Sequence, residues 1–253
     1  MTPEEKNHIL DIIQDSITDL LKDEDDILFS GGGGCQDYLD DVYGFIKDYH
    51  PEVDWINNGV SKIVISYNDL PNYVIKIPFK GEYNEYSDEK EFFINADSYE
   101  KPYKNVNTWD YCESEANCYY DAKEYYDLGD MFAKTEYLGE IENTPVYISE
   151  KITILMSDTK VKNSNKHTEK IAKTLRSKYE IDYSFCEGDG LLAFINCYGE
   201  ERTEDLVSFL EEYGIEDLHN GNIGYDLYGN VKIIDYSGWY DQSRRRKNED
   251  RIY

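Results

Sequence analysis

The chain has 253 residues, enough for one large domain or two small ones with a core that folds alone. Hydrophobic residues make up 40%, which excludes a disordered chain. The 53 acidic residues outnumber the 26 basic ones to leave a net charge of −27, which argues against binding to nucleic acid or to an anionic membrane. Taken in order, residues 2–22 form an amphipathic helix: Thr2 is the N-cap, Pro3 the first helical residue and Glu5 the capping-box partner, and Ile9, Ile13, Ile17 and Leu20 make one apolar stripe. Ser30 to Gly34 is a glycine run with no Lys-Ser/Thr pair after it and no strand leading in, which reads as a link or tight turn rather than a phosphate loop. A second helix covers about 36–49 and stops at His50-Pro51.

From Val53 the pattern changes to strands: 53–56, 63–67 and, after the turn 68–72, Tyr73 to Pro78, an apolar run with Lys76 in its middle. Residues 80–108 are polar and weakly patterned, an inserted loop with partial helix. A helix follows at 110–126, then a hairpin from 132–139 and 145–150. Helices are expected at 168–178 and 203–213, the latter with Thr203 as N-cap and Gly214 as the stop. Asp217, His219, Asn220 and Asn222 then crowd into six residues, and a short hairpin with a Gly229-Asn230 turn leads through Val231 to Ile234 into Asp235. This brings acids and an amide to the ends of one hairpin, a donor set that suits Mg²⁺ and a phosphate chain, because Mg²⁺ takes oxygen ligands and needs few carboxylates when phosphates complete its shell.

The spacing Asp217-x-x-x-x-Asn222, with Asp235-Tyr236-Ser237-Gly238 beginning thirteen positions after Asn222, resembles the catalytic and metal-binding loops of the protein-kinase-like superfamily. The wording Asp217-Leu218-His219-Asn220-Gly221-Asn222 is closest to that of the aminoglycoside and choline-type phosphotransferases. The resemblance implies an α+β, protein-kinase-like fold: a helical extension over 1–52, a small β-rich N-lobe over 53–152 and a truncated helical C-lobe over 153–253. It implies ATP and Mg²⁺ as cofactors, Asp217 as the catalytic aspartate, Asn222 and Asp235 as metal ligands, and Lys76 as the lysine on the nucleotide phosphates. Glu115 is the implied partner of Lys76 from the helix at 110–126, with Glu113 the alternative. Gly59 and Val64 match part of the glycine-rich loop, while Asn57 and Lys62 replace two of its glycines, so that Lys62 offers a cation in place of a bare amide. Glu150 to Ile152 would present backbone groups to the base.

Only fifteen residues follow Gly238, which leaves no room for a peptide-docking platform and suggests a minimal kinase-like protein of the sort bacteriophages encode. Five scattered cysteines without a C-x-x-C point to a reducing compartment without structural zinc, and no leader or long apolar run is visible, so a cytoplasmic location (the host cytoplasm, if phage-encoded) is expected. The expected function is an ATP/Mg-dependent kinase acting on a protein or small-molecule hydroxyl. The alternatives are a pseudokinase-type binding or inhibitor protein engaging a host protein, and an acidic nucleic-acid mimic.

Overall fold

A computed structural model describes residues 1–22, 29–31, 34–59, 62–78, 81–83, 111–155, 165–179, 190–215 and 218–236. Two units make up the chain, 1–116 with 135–151, and 117–134 with 152–253.

In the first unit, helix α1 (Pro3–Leu20) begins as the sequence dictates. The Thr2 hydroxyl accepts from the Glu5 N–H at 3.2 Å, and the Glu5 carboxylate accepts from the Thr2 N–H at 2.7 Å. Strand β1 (Phe29–Gly31) pairs in parallel with β5 (Gly81–Tyr83), so a short strand stands where a link and a loop were expected. Helix α2 (Gly34–Tyr49) leads into β2 (Val53–Asn58), β3 (Lys62–Tyr67) and β4 (Tyr73–Pro78). The hairpin of β6 (Thr135–Ile141) and β7 (Thr144–Glu150) turns through Glu142 and Asn143, both at positive φ, the two-residue turn whose twist suits adjoining strands. These five strands form one antiparallel sheet in the order β2-β3-β4-β7-β6. Ile9, Ile13, Ile17 and Leu20 of α1 and Tyr43 and Ile46 of α2 share a buried core with Ile63, Ile65, Tyr67, Ile75, Ile77 and Ile148 of the sheet. Each fully buried Ile or Leu contributes roughly 1.5–3 kcal/mol, which makes this face the main support of the unit.

Helix α3 (Tyr111–Tyr125) carries the chain into the second unit, followed by a 3₁₀ turn at Gly129–Met131. Phe132, expected to open a strand, instead pairs with Ile233 and stacks edge-on with Phe209 and Tyr236. Strand β8 (Thr153–Ile154) joins β9 (Ile223–Tyr225) and β10 (Val231–Ile233) in a three-stranded sheet of order β10-β9-β8. Helix α4 (Lys166–Lys178) is capped by Asn165, whose side chain accepts from the backbone N–H groups of His167 and Thr168. Helix α5 (Gly190–Tyr213) is longer than the sequence suggests and breaks at Gly199 (φ 84°). Thr203 is therefore not a cap; its hydroxyl donates to the Gly199 carbonyl at 2.6 Å from inside the helix. Gly214, at φ 62°, ends α5 as expected, with the Ile215 N–H returning to the Leu210 carbonyl.

The class expected from the sequence is the class observed: α+β, with a small antiparallel sheet covered by helices in the first unit and a mainly helical second unit. Among the described residues no helix is long and apolar enough to cross a membrane. The loop expected over 80–108 lies, beyond Tyr83, outside the described residues.

Candidate functional site

Strand alternation decides what the sheet shows on its second face. With Ile63, Ile65, Ile75 and Ile77 turned to the helices, Lys62, Val64 and Lys76 must point the other way. Val64 stands opposite Lys76 in the β3–β4 register, and Lys62 opposite Pro78, so the two lysines are diagonal neighbours on one face. Between them comes Glu115 of α3, which is fully buried. One of its oxygens, Oε1, accepts from Lys62 Nζ at 2.5 Å, and the other, Oε2, accepts from Lys76 Nζ. Both lysine side chains are 6% exposed. Charges so withdrawn from water cost several kcal/mol each unless paired, which is why a carboxylate stands here rather than an apolar residue. Glu113 is exposed on α3. Helix periodicity explains the difference, because Glu115 shares the buried side of α3 with Cys112, Cys118 and Ala122.

Gly59 closes the turn between β2 and β3, its N–H donating to the Lys62 carbonyl at 2.9 Å, and a Cβ built there meets nothing within 4 Å. Val64 is half-buried beside Lys76. Glu150 ends β7 opposite Tyr73. Ile152 lies just before β8, in the second unit, where its methyl group crowds Gly224.

In the second unit, His219 caps the 3₁₀ turn Asn220–Asn222, its Nδ1 accepting from the Gly221 N–H at 2.9 Å. Asn222 is 8% exposed. Its carbonyl accepts from the Ile234 N–H at 2.9 Å, so the hairpin holds Asn222 one residue away, across the chain, from half-buried Asp235. Tyr236 fixes the chain just beyond. It is fully buried, packs against Phe132, and donates its hydroxyl to the Ala133 carbonyl at 2.6 Å. At the other end of the hairpin, Asp226 accepts from the N–H groups of Tyr228 and Asn230 and from the Asn230 side chain, which ties the turn.

The second-unit donors fit a hard cation. Asn222 and Asp235 offer only oxygen as ligand atoms, and the neighbouring Asn220 Oδ1 is buried with no hydrogen-bond partner among the described residues. Among the described residues no group of three or more His, Cys, Asp or Glu is placed to hold a metal ion. Asp217 lies outside the described residues, as do Ser237 and Gly238.

The structure thus brings Lys76 to Glu115 and the backbone of Asn222 to that of Ile234, beside Asp235. Sequence reading offered Lys62 as a cation without finding its partner. The signal was parity: Lys62 and Val64 differ by two, so both take the face of Lys76, but only the strand register shows that Lys62 also reaches Glu115.

No protein-family model and no curated protein matches the chain. Among solved structures it is similar to the Rio2 kinase of Chaetomium thermophilum, determined as an ADP/Mg²⁺-phosphoaspartate complex, at 14% identity and a TM-score of 0.35. The match covers 79% of this chain and 52% of that one, so the chain spans about half the length of the protein it resembles.

Proposed function

We propose that the protein binds Mg-ATP and transfers a phosphoryl group to a hydroxyl of a protein or small molecule. The observation that carries this reading is the buried Lys76–Glu115 pair on the polar face of the five-stranded sheet. A lysine fixed by a helix glutamate is a point charge preset for phosphate oxygens, at no further ordering cost when the nucleotide arrives.

In this reading Lys76 orients the phosphates and Glu115 positions Lys76. Gly59 and Val64 border the nucleotide, and the backbone at Glu150 and Ile152 meets the base. Asn222 and Asp235 hold Mg²⁺. The metal, when bound, neutralises charge on the phosphate oxygens. Asp217 orients the acceptor hydroxyl and takes its proton as the oxygen attacks phosphorus. The acidity of the chain supports dependence on the metal, since a net charge of −27 opposes an unneutralised polyphosphate.

Titration calorimetry with Mg-ATP, followed by transfer of labelled γ-phosphate to the chain itself and to candidate acceptors, tests the proposal. Binding is expected, and it should fall at least tenfold in Lys76→Met and Asp235→Ala. Asp217→Ala should bind Mg-ATP but lose transfer. Binding without transfer in the unaltered chain would make this a nucleotide-binding pseudokinase. Absence of Mg-ATP binding would defeat the proposal.

A further inference from the structure

A helix ordinarily turns its aromatic residues inward, because each one buried removes a large apolar area from water. The end of α3 does the reverse. Tyr120 is 52% exposed and Tyr125 68% exposed, and their rings meet edge-on at 6.2 Å. Tyr126 follows, still exposed, while its ring packs edge-on at 4.9 Å against buried Phe209 of α5. Half-buried Tyr213 stacks on the same Phe209 at 4.2 Å and meets Tyr126 at 6.0 Å. Chain neighbours tie the two ring pairs together: Tyr125 precedes Tyr126, and Asp121 follows Tyr120. Two carboxylates are fixed in this aromatic surface. The Tyr126 hydroxyl donates to Glu212 at 3.1 Å, and the Tyr213 hydroxyl to Asp121 at 2.9 Å. Lys123, the basic residue on this stretch of α3, is paired with Glu124 at 2.6 Å. All of these residues belong to the second unit.

The arrangement serves the fold only in part. Phe209 supports Tyr126 and Tyr213, whereas Tyr120 and Tyr125 leave half or more of their surface in water. Tyrosine is a residue that interfaces favour, since its ring brings a large contact area with few torsions to freeze. We propose that this surface docks an arginine-rich segment of a partner protein. Arginine fits both parts of it: the guanidinium plane stacks on an aromatic ring, and its fork of N–H donors matches a carboxylate. The tyrosine hydroxyls already align Glu212 and Asp121, so little ordering remains when a guanidinium arrives. The charge of the whole chain selects among occupants. A net charge of −27 draws a cationic segment in and opposes a second copy of the chain, an anionic membrane and nucleic acid alike. The proposal is independent of the Mg-ATP reading, because docking needs no nucleotide.

The test measures fluorescence anisotropy of a labelled Arg-Ser repeat nonapeptide with the full chain, without nucleotide, at about 0.15 M salt, where long-range attraction is screened. Saturable binding is expected. A Lys-Ser peptide of equal charge should bind at least about threefold more weakly, since an ammonium has neither the plane nor the fork. Tyr120→Ala and Tyr125→Ala should each weaken the arginine peptide about fivefold or more, as truncating an interface anchor does. Tyr125→Phe, which keeps the ring, should retain the affinity. Glu212→Gln should weaken binding, whereas Asp69→Asn, which removes an equal charge from an exposed turn of the first unit, should leave it unchanged. Thermal melting of each variant reports on folding, and the comparison of the two peptides needs no variant at all. Equal binding of the two peptides, equal losses in Glu212→Gln and Asp69→Asn, or unchanged affinity in both alanine variants would each reduce the effect to the general attraction of an acidic chain. Any of these overturns the proposal, as does an absence of binding, and none of them touches the Mg-ATP reading. The chain's own basic run is the remaining occupant. If changing Arg244, Arg245, Arg246 and Lys247 together to serine raises the affinity for the peptide about tenfold or more, that run competes for the surface and the proposal is overturned. An unchanged affinity supports it.

Discussion

Tyr236, the residue after Asp235, carries a hydroxyl into a fully buried place. The hydroxyl is satisfied by the Ala133 carbonyl at 2.6 Å, so the extra oxygen is an anchor and not a burden. Tyr236→Phe should cost about 1 kcal/mol in urea unfolding, the net value of one buried hydrogen bond. Tyr236→Ala should cost about 3–5 kcal/mol, because it also leaves a cavity beside Phe132. Asp226 makes a second prediction at this scale, one that depends on pH. Burial alone would raise its carboxyl, but the hydrogen bonds from Asn230 and Tyr228 and the nearby Lys232 ammonium outweigh burial and hold it below its ordinary value. A depressed folded pKa means that the ionised form is favoured by folding. The stabilisation is fully present above the unfolded carboxylate value, about 4, and disappears as pH falls through the folded one. Asp226→Ala should therefore cost about 2–3 kcal/mol near neutrality, and its deficit against the unaltered chain should shrink in unfolding curves taken from pH 5 down to pH 2.

At the scale of elements, the sequence was legible wherever a local rule and the tertiary environment agreed. Helix α1 announces its start with Thr2, Pro3 and Glu5 and its buried side with an isoleucine at every fourth position, and both are observed. The alternation Ile63, Ile65, Tyr67 and Ile75, Ile77 likewise marks one buried face, so the class of the first unit could be read before its topology. The first half of α5 was not legible. Leu191, Ala193, Phe194 and Ile195 are all buried, and an apolar run buried on every side has no period by which to tell helix from strand. Thr203 misled because a threonine hydroxyl serves equally as an N-cap or as a donor to the carbonyl four residues back, and here it does the second. The pairing of Lys62 with Glu115 depended on strand register, which no local pattern contains. Close approach of elements leaves a sharper trace. A Cβ built at Gly224 of β9 would lie 2.3 Å from the Thr153 carbonyl oxygen of β8, whereas one at Gly139 of β6 would meet only the end of the flexible Leu10 side chain, at 2.9 Å. Gly224→Ala should thus cost about 1–3 kcal/mol or more, since backbone must move, and Gly139→Ala distinctly less, as a rotation of Leu10 relieves it. Paired chemical unfolding of the two variants measures the difference, and equal costs would contradict the close packing of β8 on β9.

At the scale of the whole molecule, 53 acidic against 26 basic residues set two electrostatic effects against each other. Salt ordinarily weakens the binding of a polyphosphate to lysines. In the Mg-ATP reading, Lys76 meets the phosphates from a side chain that is 6% exposed and tied to a buried carboxylate, so that contact would lie well inside the screening length of about 10 Å at 0.1 M salt. The general repulsion between the acidic chain and an anionic ligand acts over longer distances, and it is the part that salt removes. The repulsion among the chain's own carboxylates is removed with it. Raising NaCl from 10 to 150 mM should therefore increase the melting temperature of the ligand-free chain. Over the same range Mg-ATP affinity should stay level or rise, where a protein of balanced charge would lose affinity. Calorimetric titration at fixed free Mg²⁺ checks this. A steep loss of affinity with salt would mean that the phosphate-binding cations are exposed at the surface and would count against the proposed role of buried Lys76.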